Sequence, residues 1–366
     1  MSSTTPTTEP TASSPAGLRD IPLSDVTLRR RDYASDQEVR WCPGCGDYSI
    51  LSTFQGMLPG LGIARENVVV VSGIGCSSRL PYYMNTYGMH SIHGRAPAIA
   101  TGLAVSRPDL AVFVVTGDGD ALSIGGNHLI HAMRRNVNLT IMMFNNEIYG
   151  LTKGQYSPTS KAGTVTKSSP MGSVDHPFDP VSVALGADCS FVARVLDSDR
   201  KGLDAVLSAA AAHRGTSFVE IYQNCPIFND GAFDDYKGPQ AVHNLVQLVD
   251  GQPVLLGSDR DRGVVRDPAT GSLTVAEVSQ VGAEKVLVHD SHREDPSWAF
   301  ELAHLADSGL MRQTPVGIFR DVERPAYDDV VRDQVHLAMG EDTSQQSQDT
   351  ALQQLLLGAD TWQVGA

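Results

Sequence analysis

Nowhere in the 366 residues is there an unbroken apolar run approaching 18, so no bilayer-spanning helix is expected. Basic residues are scarce: 28 Lys and Arg against 42 Asp and Glu give a net charge of −14, which argues against binding nucleic acid through a basic face. The deficit is concentrated, because residues 240–366 hold 20 acids against 9 bases, leaving 22 against 19 before them. The first residues are Ser, Thr and Pro without the basic cluster and apolar core of a secretory signal, so a cytoplasmic location is expected. Neither Gly-x-Gly-x-x-Gly after a first strand nor Gly-x-x-x-x-Gly-Lys-Ser/Thr stands in the right place, which weighs against the Rossmann and P-loop sites. Cysteines number only five, an odd count in a large chain, which favours thiolate chemistry over a disulfide framework.

What is present describes an ordinary globular protein, 41% hydrophobic with 34 Gly and 20 Pro, of two domains or one large domain with an extension. Residues 1–20 are too poor in large apolar side chains to offset the entropy of ordering them and read as a disordered tail. Over 21–239, apolar runs at 68–72, 110–116, 139–144, 190–195 and 217–222 alternate with helical patterns near 94–106, 125–135, 179–187 and 200–213. Continuous Val/Ile/Leu/Phe runs separated by crossover helices predict an α/β domain with a doubly wound parallel sheet. The stretch 150–173 has no clear period, and a loop of that length is expected to lie over a functional site. After Tyr236 only weak strand patterns remain, at 254–256 and 273–278. Residues 240–366 therefore read as an acidic C-terminal extension of unclear role, Gln/Ser-rich from Thr343.

The chemistry-bearing residues fall into two groups. Cys42-Pro-Gly-Cys45 is a Cys-x-x-Cys turn able to aim two sulfurs at one centre. Cys76 follows the first strand in Gly73-Ile74-Gly75-Cys76, and Cys225 follows the last in Asn224-Cys225-Pro226, so three segments can converge at one edge of the sheet. Four thiolates suit tetrahedral zinc or a [4Fe-4S] cluster, and spacing alone does not choose between them. Cys189, at the start of a strand, reads as a small buried apolar residue. In the second group, Gly117-Asp118-Gly119-Asp120 ends one strand and Asn145-Asn146 ends the next. The glycines let backbone approach a diphosphate. Asp118 and Asn146 supply hard oxygen ligands for a bridging magnesium, with the Ile148 carbonyl as a third.

Taken together, Trp41-Cys42-Pro43-Gly44-Cys45-Gly46-Asp47, Gly75-Cys76-Ser77-Ser78, His93-Gly94-Arg95-Ala96, Gly117-Asp118-Gly119-Asp120, Tyr149-Gly150-Leu151-Thr152-Lys153-Gly154-Gln155 and Asn224-Cys225-Pro226 resemble the β subunits of 2-oxoacid:ferredoxin oxidoreductases, most closely the 2-oxoglutarate type. The resemblance covers about half the chain. It implies a sheet of the thiamine-diphosphate-binding type. The diphosphate would be held through magnesium on Asp118, Asn146 and Ile148, in a site that also takes in Gly75, Gly94, Gly117, Gly119, Asp120, Tyr149, Gly150 and Leu151. One [4Fe-4S] cluster on Cys42, Cys45, Cys76 and Cys225 is implied with it. The implied reaction converts a 2-oxo acid, coenzyme A and oxidised ferredoxin into an acyl-CoA, carbon dioxide and reduced ferredoxin, in either direction.

By the same resemblance Arg79 faces the substrate, where a guanidinium can clamp the distal carboxylate of 2-oxoglutarate, while Lys153 helps to place coenzyme A or substrate and His93 lines the cofactor pocket. The chain has no evident room for the second domain that activates the cofactor, so a larger α subunit is expected to complete the site in an α2β2 assembly. It also lacks a Cys-x2-Cys-x2-Cys ferredoxin pattern, so a separate ferredoxin is expected to carry the electrons away. Two other readings stand beside this one: a β subunit acting on pyruvate or a broad range of 2-oxo acids, and a non-redox thiamine enzyme subunit whose cysteines hold zinc.

Overall fold

The computed structural model describes residues 15–305, 313–340, 344–362 and 364. The strands in chain order are β1 (Val68–Ser72), β2 (Tyr87–His90), β3 (Ala111–Gly117), β4 (Leu139–Asn145), β5 (Ile148–Tyr149), β6 (Gln155–Tyr156), β7 (Phe191–Leu196), β8 (Thr216–Tyr222), β9 (Leu245–Leu248), β10 (Leu255–Leu256), β11 (Arg262–Arg266), β12 (Leu273–Glu277) and β13 (Thr314–Asp321). The α-helices are α1 (Asp47–Met57), α2 (Ala96–Ser106), α3 (Asp118–Leu122), α4 (Gly126–Arg135), α5 (Pro180–Gly186), α6 (Arg200–Ala212), α7 (Ala241–Asn244), α8 (Val278–Val281), α9 (Ser297–Ala303), α10 (Tyr327–Met339) and α11 (Gln345–Leu357). Among the described residues no helix is long and apolar enough to cross a membrane.

The main sheet runs β2-β1-β3-β4-β8-β7-β13-β9, parallel throughout except where β13 meets β7. Its central strands are buried on both faces because side chains alternate at every residue and each face has its own cover. Val69 and Val71 of β1, Ile141 and Met143 of β4 and Phe218 of β8 pack on one side with α2, α4, α5 and α9. Val68 and Val70, Met142 and Phe144, and Val219 and Ile221 pack on the other, against α1 and α6. The five runs read from the sequence all become strands of this doubly wound sheet, each within a residue or so of the expected limits.

Two expectations change. The segment after residue 240 is not set apart: β9 and β13 extend the main sheet, and Val246, Leu248 and Phe319 belong to its core. Those strands were masked by Pro315 and Gly317 in β13 and by the polar Gln247 in β9, which break the apolar runs that mark the other strands. The expected disordered tail falls largely on residues 1–14, which lie outside the described residues. Residues 15–20 are packed instead, with Leu18 in the core and Asn138 donating to the Gly17 carbonyl at 3.1 Å. Edge strand β2 was also unforeseen, because all four of its residues are exposed and none is β-branched.

Candidate active site

Four neighbouring parallel strands, in the spatial order β1, β3, β4 and β8, end on the same side of the sheet. Beyond their carboxyl ends come Cys76, Asp118, Asn146 and Cys225 respectively, so a sequence spread over 150 residues delivers its chemical groups to one edge. A crevice there is lined by Gly75, Cys76, Ser77, His93, Gly117, Asp118, Gly119, Asp120, Asn146, Ile148, Tyr149, Gly150, Leu151 and Gln223, among others. No Lys or Arg is among its lining residues.

On one flank, Asp118 is 3% exposed and one carboxylate oxygen accepts from the Thr159 hydroxyl at 2.7 Å. Burial pushes its pKa up to about 6, against the hydrogen bonds it receives. Asn146 is held by its own turn: its Oδ1 accepts from the Ile148 amide at 3.2 Å, and its Nδ2 donates to Gln223 Oε1 at 2.9 Å. Between them Glu147 takes a left-handed backbone (φ 55°), stabilised by its amide donating to Asn145 Oδ1. Gly119 cannot be replaced without displacing the Tyr149 ring, which a Cβ there would meet at 2.2 Å, and the Tyr149 hydroxyl donates to the Gly119 carbonyl. The helix expected after the motif is short, α3 ending at Leu122.

Asp120 lines the crevice, yet its carboxylate is occupied by protein. It accepts from the Ile74 and Gly94 amides and from the Thr116 hydroxyl, and His93 Nδ1 lies 3.3 Å away. It ties the loops after β1 and β2 to the end of β3. Gly94 (φ 67°) contributes only backbone, where a Cβ would strike Gly125. Lys153 is exposed on the turn after β5 with a left-handed backbone (φ 78°) and is not part of the crevice wall. Arg79 lines a second cavity with Tyr82 and His90, and this cavity shares Ile74, Gly75 and Leu151 with the crevice. Its Nε donates to the Tyr83 hydroxyl at 3.0 Å.

The cysteines gather on the opposite flank. The Cys42–Cys45 turn closes through the Cys45 amide to the Cys42 carbonyl, and Gly46 donates to the Asn224 carbonyl, which seats the turn against the Cys225 loop. Trp41 Nε1 donates to the Cys76 carbonyl at 2.7 Å. A Cβ on Gly150 would lie 3.5 Å from Cys76 Sγ and 3.7 Å from Cys225 Sγ, so both sulfurs lie close to one point beside the turn that carries Asn146 and Ile148. Burial raises the Cys45 thiol well above its usual range and pushes Cys76 up to about 12. Among the described residues no three His, Cys, Asp or Glu are close enough to hold a single metal ion. Cys189 is fully buried, its sulfur against the Phe191 and Thr216 carbonyls, as expected of a packing residue.

A match to the thiamine pyrophosphate enzyme, C-terminal TPP binding domain family spans residues 73–221, the region that carries the β1, β3 and β4 ends. The 2-oxoglutarate oxidoreductase subunit KorB of Mycobacterium tuberculosis is 58% identical over 344 residues, covering 94% of this chain and 91% of that protein. The chain belongs to the 2-oxoacid:ferredoxin oxidoreductase β subunits. A 2-oxoglutarate synthase subunit KorB of Archaeoglobus fulgidus is 45% identical to this β subunit over 186 residues, 51% of this chain and 69% of that one. Among solved structures, 2-oxoglutarate:ferredoxin oxidoreductase from Magnetococcus marinus, with 2-oxoglutarate, coenzyme A and succinyl-CoA bound, superposes with a TM-score of 0.72 at 32% identity. That likeness covers 90% of this β subunit and 98% of that chain.

Three residues at the site, Ser77 and Gln223 in the crevice wall and Thr159 behind Asp118, escaped the sequence reading. Ser77 is 4% exposed and its hydroxyl has no partner although it faces the crevice. Thr159 reaches Asp118 from the long 150–173 loop, which does fold against the site as expected. Gln223 connects the two flanks. Ser77 stood beside Cys76 in a quoted block and Thr159 in a hydroxyl-rich Ser-Pro-Thr-Ser run, but only the folded chain shows which hydroxyls turn inward.

Proposed function

We propose that this chain is the β subunit of a cytoplasmic 2-oxoglutarate:ferredoxin oxidoreductase. It would turn 2-oxoglutarate and coenzyme A into succinyl-CoA and carbon dioxide, or run the reverse, with a larger α subunit completing an α2β2 enzyme and a ferredoxin taking the electrons. The observation that carries the reading is that Asp118, Asn146 and Ile148 share one crevice with Cys76, while Cys225 faces the same point at Gly150.

The residues fit the cofactors. A diphosphate entering this crevice finds no lysine or arginine on its walls, so its charge calls for a divalent cation, and Asp118, Asn146 and the Ile148 carbonyl are the hard oxygen donors for magnesium. The unpartnered Ser77 hydroxyl is available to a diphosphate oxygen. Cys42, Cys45, Cys76 and Cys225 form the donor set for a [4Fe-4S] cluster. Four thiolates are the donor set of such a cluster and of a zinc site alike, and metal analysis separates the two.

When bound, thiamine diphosphate supplies the carbon nucleophile for 2-oxo acid cleavage and the cluster supplies a one-electron acceptor. This chain's own work is placement. Arg79 sits in the side cavity where a distal carboxylate would reach it, and the half-exposed His93, held beside Asp120, borders the reacting end. Leu151 and Tyr149 supply part of the crevice wall. Lys153, outside that wall, is assigned to the mouth, where it meets coenzyme A.

The test is anaerobic co-purification with the α subunit, followed by iron, labile sulfide and zinc analysis and an assay of 2-oxo acids with coenzyme A and a viologen dye. Iron and sulfide near four per chain with CoA-dependent reduction on 2-oxoglutarate support the reading. Stoichiometric zinc without sulfide would replace it with the non-redox alternative.

A further inference from the structure

Gln223 follows β8 and is 1% exposed, and its amide lies between the two flanks of the site. The orientation of that amide is fixed by its partners. Nε2 donates to the Asn224 carbonyl, which can only accept, so the same NH2 group is the one 3.2 Å from Cys45 Sγ. Oε1 therefore points the other way and accepts from Asn146 Nδ2 at 2.9 Å. Asn146 is oriented in turn, because its Oδ1 accepts from the Ile148 amide. A continuous relay thus runs from Ile148 through Asn146 and Gln223 to a cysteine sulfur.

We infer that Gln223 is a positioning residue serving both centres at once: it aims the Asn146 amide oxygen at the cation and donates a hydrogen bond to the Cys45 sulfur that raises the reduction potential of the centre bound there. The inference rests on the reading of Asn146 as a magnesium ligand and of Cys45 as a cluster ligand. The physical grounds are general. A donor to a cluster sulfur stabilises the extra negative charge of the reduced form and so raises the potential. A side-chain amide that cannot rotate presents the same oxygen to a cation in every molecule. Burial makes both effects matter, since neither Gln223 nor the sulfur side of Cys45 has bulk water to substitute for the lost partner.

The test uses the co-purified αβ complex at pH 8 with Gln223→Leu and Gln223→Glu. Leucine removes both functions; glutamate keeps an acceptor for Asn146 but replaces the donor to sulfur with a carboxylate. Two measurements need no turnover: the midpoint potential by EPR-monitored redox titration, and magnesium-dependent thiamine diphosphate binding by calorimetry. The potential should fall in both variants, and half-saturating magnesium should rise about tenfold in Gln223→Leu while staying within about twofold of the native value in Gln223→Glu. A native potential in both variants, or a native magnesium curve in Gln223→Leu, overturns the inference. Native protein lacking iron and sulfide would instead remove the cluster reading beneath it, a separate failure that metal analysis identifies before any variant is made.

Discussion

Asp118→Asn should make the metal-stripped protein more stable and the loaded protein less so. Asp118 lies fully buried in a crevice without lysine or arginine on its walls. Burial lifts its pKa from 3.8 to about 6, partly opposed by hydrogen bonds from the Thr159 and Ser157 side chains. At about 1.4 kcal/mol per tenfold in the protonation constant, holding that carboxylate ionised costs the fold about 3 kcal/mol at neutral pH. The sign follows from proton counts. Between pH 3.8 and 6 the folded state binds more protons here than the unfolded chain, so this group's contribution to stability falls as pH rises through that window and stays lost above it. Asparagine has nearly the same shape, can still accept from Thr159, and carries no charge. With metal chelated at pH 7.5, the apparent unfolding midpoint of the variant should exceed the native one by roughly 6–12 °C, at about 2–4 °C per kcal/mol. The gain should fade by about pH 4. Adding magnesium and thiamine diphosphate should raise the native midpoint and leave the variant unmoved, reversing the order. Differential scanning calorimetry over pH 4–8 reads all of this. A metal-free variant no more stable than native at pH 7.5 would show that the crevice carboxylate carries no such cost.

Further expectations concern the groups around it. Arg194 is 1% exposed and donates to both Glu220 and Asp179 at 2.6 Å, so Arg194→Met strips the buried Glu220 and the partly buried Asp179 of their shared cation and should destabilise the protein by about 3–5 kcal/mol in denaturant titration; a change under about 1 kcal/mol would contradict the pairing. Arg79→Ala should lower kcat/KM for 2-oxoglutarate by about 10- to 150-fold, the worth of a hydrogen-bonded charge, while pyruvate turnover changes little; equal losses on both would take Arg79 out of carboxylate recognition. Cys225→Ala should abolish iron binding whereas Cys189→Ala should retain full iron and sulfide, and metal analysis that ranks the two the other way would refute the ligand assignment.

The central sheet was readable because β1, β3 and β4 are near-continuous apolar runs, which is what burial on both faces demands, and because β7 and β8 keep much of that character around Arg194 and Glu220. The same logic hid β9 and β13. They lie towards the edge, tolerate Pro315, Gly317 and Gln247, and owe their place to pairing with chain far away in sequence. The site divides similarly. Residues whose type is dictated by chemistry, the cysteines on their Pro-Gly turn and Asp118 between its glycines, announce themselves. Residues whose role is set by where a neighbour points do not: Asp120 lines the crevice while its carboxylate also ties three segments together, and Gln223 carried no signal because an amide can face either way until its partners are known. The extension after residue 240 misled for one further reason, since its acidic composition describes its surface and says nothing of Val246, Leu248 and Phe319 beneath.

Four adjacent strands each end in one working group, and a strand advances about 3.3 Å per residue while reversing its side chains at every step. Deleting a single residue from β1, β3, β4 or β8 would therefore retract its terminal group by one ladder rung and turn it to the wrong face. Along that row the two sulfur-bearing ends, Cys76 and Cys225, flank the two oxygen-bearing ends, Asp118 and Asn146, so a lesion in an inner strand would also disturb the pairing that seats an outer one.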